Sequence, residues 1–266
     1  IWIASYPKSG NTWIRFLIGN YFFNSKRKIK YDVIKNIYKF PMQSYLRLHA
    51  NRSELLQNPY NISKFWIKHQ KTLRTIDSKS NVVFLKTHNA LISINNMPFT
   101  DENHSFAAIY IVRDPRDIVI SYSKYMSKTY DQIIERLCSK QLIFNIDDTK
   151  KIPDIDIMGS WKLHYISWKE GVPKIPRIII RYEDLINNTS KEFYRLIQFL
   201  AKILKININK KQINFSVQNS RFENLANYEK KFGFIENEGK KLFFRKGTSN
   251  QWQKKLSLTQ IKIIEN

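Results

Sequence analysis

The stretch Tyr6-Pro7-Lys8-Ser9-Gly10-Asn11-Thr12-Trp13 gathers a lysine, a serine, a threonine, an asparagine and a glycine between an apolar run and a helical pattern. At such a strand-to-helix turn, backbone N–H groups and the helix dipole attract an anion, and Gly10 permits close approach. This is not the nucleotide-triphosphatase loop: its Gly-x-x-x-x-Gly-Lys-Ser/Thr spacing is absent, and Lys8 precedes its glycine. On local residues alone, an ordinary Pro/Gly turn with a surface lysine fits equally well. Lys86-Thr87-His88 follows a second apolar run and places an imidazole where it could take a proton at neutral pH. The other histidines, His49, His69, His104 and His164, read as hydrogen-bonded structural groups. Arg113, after a third apolar run, offers a planar fork suited to phosphate. Taken alone, it reads better as the partner of Asp114 in a structural ion pair, and Ser121 as an ordinary helix serine packed against the sheet.

These residues need a frame. Ile1–Ser5, Val82–Lys86, Phe106–Val112 and Arg177–Arg181 read as short buried strands, each ending in polar residues. Pro115 favours a helix start, and Ile118, Val119, Tyr122, Tyr125 and Met126 continue with helical spacing, which puts Ser121 inside that helix. Helices are also expected over 12–23, 159–168, 190–204, 210–217 and 221–231. Residues 31–75 read as helical covering without strands, and 139–156 as an irregular, lid-like stretch. Short apolar strands between long helical segments predict an α/β fold with a mainly parallel central sheet flanked by helices. Ligands bind such sheets at the carboxyl ends of the strands, where the polar residues above fall.

Composition bounds the rest. The chain has 266 residues with no composition break, and one domain over 1–266 is expected. No apolar run approaches the roughly 18 residues of a membrane span, so a soluble, cytoplasmic protein is expected. Cys138 is the single cysteine and allows no internal disulfide. The chain begins at Ile1 without Met, so residues upstream are expected. The net charge of +23 draws phosphates, sulfates and polyanions, yet the lysines are spread throughout.

The turn Tyr-Pro-Lys-Ser-Gly-Asn-Thr-Trp resembles the 5'-phosphosulfate loop of the cytosolic sulfotransferases that use 3'-phosphoadenylyl sulfate (PAPS). Three further segments resemble that family in the same order. Lys86-Thr87-His88 is similar to the segment with its catalytic histidine. Val112-Arg113-Asp114-Pro115-Arg116-Asp117, with Ser121 eight residues after Arg113, is similar to its 3'-phosphate segment. Arg245-Lys246-Gly247 followed by Trp252 is similar to its C-terminal Arg-Lys-Gly segment. The resemblance implies the family's sulfotransferase fold, related to phosphate-loop kinases, and transfer of a sulfuryl group from PAPS to a hydroxyl or amine, releasing 3',5'-adenosine bisphosphate (PAP), without a metal.

The resemblance also implies residue roles. His88 is the general base; Lys8 faces the bridging oxygen and 5'-phosphate, and Lys86 the moving sulfuryl group. Ser9, Gly10, Asn11 and Thr12 help hold the 5'-phosphate. Arg113, Ser121, Arg245, Lys246 and Gly247 hold the 3'-phosphate. Trp13, Tyr182, Ser220 and Phe222 contact adenine. One departure stands out: the family often reads Arg-Lys-Gly-x-x-Gly-Asp-Trp, whereas here Thr248-Ser249-Asn250-Gln251 precede Trp252, and Asn250 can supply the left-handed backbone of a glycine. Residues 31–75 and 139–160 are the expected acceptor-side cover, for a small alcohol, phenol, lipid or carbohydrate. No specific nucleic acid is expected, and the oligomer is left unassigned. A small-molecule kinase or a polyanion-binding protein are the rivals; the first needs a regular phosphate loop and a Mg²⁺ carboxylate, the second clustered basic and aromatic residues.

Overall fold

Alternation along the central strands assigns their side chains to two cores. A computed structural model describes residues 1–26, 31–76, 82–142, 144–234, 236, 242–244 and 247–266. Its strands are β1 (Trp2–Ser5), β2 (Tyr38–Lys39), β3 (Leu85–Thr87), β4 (Ser93–Ile94), β5 (Met97–Pro98), β6 (Ala108–Val112), β7 (Phe144–Asp147), β8 (Asp154–Ile157) and β9 (Arg177–Arg181). The main sheet has the order β2-β3-β1-β6-β9, parallel at every pairing. Trp2, Ala4, Ala108 and Tyr110 face one core with Phe40, Trp66, Phe99 and Trp168. Ile3, Ile109 and Ile111 face the other, with Ile14, Leu17, Phe193, Leu196 and Leu200. Both faces are therefore covered, which is why these strands read as unbroken apolar runs. Each buried Ile, Leu or Phe among them contributes about 1.5–3 kcal/mol on burial.

The helices are α1 (Asn11–Phe22), α2 (Gln43–His49), α3 (Arg52–Gln57), α4 (Trp66–Ile76), α5 (Pro115–Met126), α6 (Tyr130–Cys138), α7 (Trp161–Glu170), α8 (Tyr182–Asn187), α9 (Thr189–Leu204), α10 (Lys210–Asn219), α11 (Phe222–Phe232) and α12 (Leu258–Glu265). Among the described residues, none is long and apolar enough to cross a membrane. Helix α5 starts with Pro115 in its first turn and the Asp114 side chain accepting from the Arg116 N–H, so the breaker in the sequence is the start signal.

Two expectations need correction. Residues 139–156 are not irregular: β7 and β8 form an antiparallel hairpin, and all four residues of β8 are buried. The strand is hidden in sequence because Asp154 and Asp156 look like loop residues. Lys39 bridges them at 3.2 and 3.6 Å, and Lys150 also pairs with Asp154, so their burial is compensated. Residues 31–75 are mostly helical, yet they include β2, a two-residue edge strand too short to show periodicity.

Candidate active site

With β1 in the middle of the sheet and its neighbours β3 and β6 on opposite sides, the turn after β1 sits where the strand order reverses. Backbone bends twice in this turn, at Lys8 (φ 66°) and Gly10 (φ 100°). A Cβ on Gly10 would lie 2.6 Å from the Tyr182 ring, so glycine is needed for both backbone and space. Helix α1 then begins; the Trp13 N–H donates to Gly10 O at 3.0 Å, while the N–H groups of Asn11 and Thr12, at its first two positions, lie ahead of any intrahelical acceptor. The Ser9 hydroxyl is fully buried with no hydrogen-bond partner. The Lys8 ammonium lies between two rings, 4.3 Å from the centre of Tyr125 and 4.2 Å from that of Phe243. Asn11 turns inward instead: its amide donates to Ile3 O (3.0 Å) and Ser5 Oγ (3.3 Å), tying the helix start to β1.

At the end of β6, Arg113 reaches back to this turn. Its Nη1 donates to Lys8 O at 3.1 Å and its Nη2 to Thr248 O at 3.0 Å, with the guanidinium 4.3 Å above the Tyr182 ring. The Arg113 Nε is buried and has no partner. Tyr182 opens α8 after β9 and meets Trp13 edge-on, 6.1 Å between centroids. Trp13 is held by its indole N–H, which donates to Ser220 O at 2.8 Å. The Ser220 hydroxyl is fully buried and accepts from Asn20.

His88 lies just past β3. Its Nδ1 is 2.7 Å from Ser5 O, and a carbonyl can only accept, so Nδ1 carries the proton and Nε2 keeps a lone pair. Burial, reinforced by the charge of Lys86, holds the His88 pKa well below its usual value and keeps the ring neutral. Burial, with Lys39 adding to it, also lowers the Lys86 pKa, to about 8. Behind His88, His164 Nε2 donates to the His88 carbonyl at 3.1 Å, leaving Nδ1 to accept from the Tyr110 hydroxyl at 2.9 Å. Burial lowers the His164 pKa to about 3, as befits a neutral structural imidazole.

Comparison with known proteins adds an independent line. A family model described as "Sulfotransferase domain" matches residues 1–266. The chain belongs to the sulfotransferase family. Among curated relatives, this sulfotransferase is 24% identical over 275 residues to mouse sulfotransferase 1 family member D1, covering 100% of this chain and 80% of the relative. Among solved structures, mouse sulfotransferase SULT7A1 complexed with PAP aligns with a TM-score of 0.60 at 18% identity, over 100% of this chain and 81% of that one. Retinol dehydratase in a complex with retinol and PAP aligns with a TM-score of 0.61 at 17% identity, over 99% of this chain and 78% of that one. The α/β fold with a flanked parallel sheet and the enzyme class expected from the motifs are thereby met.

In this sulfotransferase the fold brings Lys8, Ser9, Gly10, Arg113 and Tyr182 into mutual contact or adjacent turns, with His88 and Lys86 on the neighbouring strand end. Thr12 is buried in the first turn of α1, and Ser121 is half-buried inside α5. Phe222 packs where a Cβ on Gly247 would sit, 2.5 Å from its ring, and Gly247 has φ 59°. Asn250 does adopt the left-handed backbone, at φ 61°. Arg245 and Lys246 lie outside the described residues. Sequence reasoning missed Tyr125 and Phe243 around Lys8, and Thr248 on Arg113, because aromatic and backbone contacts of this kind have no spacing signature.

Proposed function

We propose that this sulfotransferase moves a sulfuryl group from PAPS to a hydroxyl or amine of a small-molecule acceptor. The acceptor oxygen or nitrogen forms a bond to sulfur as the bond from sulfur to the bridging phosphate oxygen breaks. The acceptor proton passes to His88 Nε2, and PAP leaves with the new charge on its 5'-phosphate. The observation that carries this reading is the meeting, at the ends of adjacent strands β3, β1 and β6, of a neutral imidazole, a lysine in an anion-binding turn and an arginine fork.

In this reading Lys8 and the first-turn N–H groups of α1 neutralise the departing phosphate, where preorganised dipoles act most strongly. Ser9 Oγ and Arg113 Nε fit a ligand with phosphates at both ends, since each is a buried donor lacking an acceptor within the protein. Arg113, Ser121 and Gly247, together with Arg245 and Lys246, hold the 3'-phosphate and so separate PAPS from ATP. Trp13 and Tyr182 hold adenine. Asn11 contributes through its backbone, and Ser220 by pinning Trp13. Residues 31–75 and 139–160 cover the acceptor side. The PAP bound in SULT7A1 and in retinol dehydratase supports the choice of donor.

The test is transfer of labelled sulfate from PAPS to a panel of alcohols, phenols and amines. His88→Ala is expected to lower kcat by about 10²–10⁴, the usual contribution of a general base, while PAP affinity stays within about twofold. Undiminished turnover in the variant would remove His88 from the chemistry.

A further inference from the structure

Asp117 has no solvent exposure, and its carboxylate lies on the first turn of α5, one helical turn beyond Arg113. A buried carboxylate must be compensated, and the partners here are specific. Its Oδ2 accepts from the Asn250 N–H at 2.7 Å and its Oδ1 from the Trp252 N–H at 3.2 Å. These donors begin a 3-10 turn, Gln251–Lys254, whose own cap residue supplies no side-chain acceptor. Asp117 therefore caps, from across the site, a turn 134 positions later in the chain. The same Oδ2 lies 3.7 Å from Arg113 Nη2, close enough to offset its charge and too far to take its proton. That leaves Nη2 free to donate to Thr248 O, two residues before Asn250.

One carboxylate thus faces the arginine on one side and the returning 247–252 segment on the other. Arg113 closes the loop, because its two terminal nitrogens bind Lys8 O and Thr248 O. We propose that Asp117 is a positioning residue for donor recognition: it holds the Arg113 fork and the 247–252 segment in one geometry, so that discrimination of a 3'-phosphate depends on a carboxylate that does not touch the nucleotide. This rests on the donor reading above. Without the negative charge, Arg113 is a buried cation whose nearest counter-charge is gone, and the turn at Asn250 loses the acceptor on Oδ2.

Calorimetric titration with PAP and with 5'-AMP tests it, on wild type, Asp117→Asn and Asp117→Glu. The asparagine keeps the shape and one acceptor. It is expected to bind 5'-AMP within about twofold of wild type and to lose about tenfold or more of the preference for PAP, the scale of one charge-assisted hydrogen bond. The glutamate keeps the charge one methylene further out and should fall between the two. A merely structural Asp117 would lower the melting temperature and leave the PAP to 5'-AMP ratio alone. That result, in either variant that folds, overturns the inference. Wild type with no preference for PAP would instead overturn the donor reading and the inference with it.

Discussion

The two sides of the catalytic edge are built on different principles. The donor side is assembled from strand ends that are neighbours in the sheet, and its cations bind backbone carbonyls or lie over rings: Arg113 on Lys8 O, Thr248 O and Tyr182, Lys8 between Tyr125 and Phe243. The side proposed to cover the acceptor is held by charge pairs: Lys39 from β2 and Lys150 from the β7–β8 turn against the buried Asp154 and Asp156. Arg113 can face a phosphate while it keeps its carbonyl and ring contacts, because Asp117, 3.7 Å away, accepts from backbone N–H groups of the 247–252 segment and not from the arginine fork. The difference implies that donor binding and structural integrity can be disturbed separately.

The largest separation should come from Asp154→Ala. It removes the nearer carboxylate from both Lys39 and Lys150, leaving Asp156 and Asp147 at 3.6 Å each, and is expected to cost roughly 2–3 kcal/mol of stability, below the usual range for breaking a buried pair because both lysines are about a third exposed and keep a second partner. A chemical denaturation curve should show that loss while PAP affinity is unchanged. Acid offers the same test in the wild type. Burial works to raise the Asp154 pKa, but Lys39 and Lys150 outweigh it and hold it below the usual carboxylate value. Its contribution is therefore present above that value and lost as pH falls through the lowered one. A variant whose acid unfolding is as steep as that of wild type would break the comparison.

Next in size is a pH effect at the boundary between the two sides. Lys86, lowered to about 8, loses its charge as pH rises through that value, so kcat/KM should fall about tenfold per unit above it. The acid limb, set by His88, should lie below the usual imidazole range because its folded pKa is depressed. An alkaline limb set only near the ordinary lysine value would place Lys86 outside the reaction. The smallest effect is expected from Ser220→Ala, which removes the Asn20 contact at 3.2 Å but leaves the carbonyl that pins Trp13. Stability should drop by about 0.5–1.5 kcal/mol with PAP binding little altered.

The same contrast explains what the sequence made legible. Strands β1, β6 and β9 were readable because burial makes their centres apolar runs, and β3 because the apolar run 82–85 leads into it; the residues that follow these strands include Gly10, His88, Arg113 and Tyr182. Asn250 was readable as a left-handed position because few side chains suit one. Strand β8 was not, since Asp154 and Asp156 are paired with lysines far away in sequence or across a turn, and no local rule distinguishes a buried carboxylate from a solvated one. The inward side-chain bonds of Asn11 to β1 and of Asn20 on α1 to the Ser220 hydroxyl were not legible, because the family resemblance carries roles and not side-chain contacts. Asp117 escaped attention as a partner because its acceptors' donors, Asn250 and Trp252, become neighbours only in the fold.

The most direct test of the account is calorimetric titration with PAP beside 5'-AMP and ATP, on wild type and on Arg113→Ala. The account predicts that wild type prefers PAP by about 1.5–3 kcal/mol or more and that Arg113→Ala loses the preference. Equal affinity for the three nucleotides, or a preference that survives without Arg113, would contradict it.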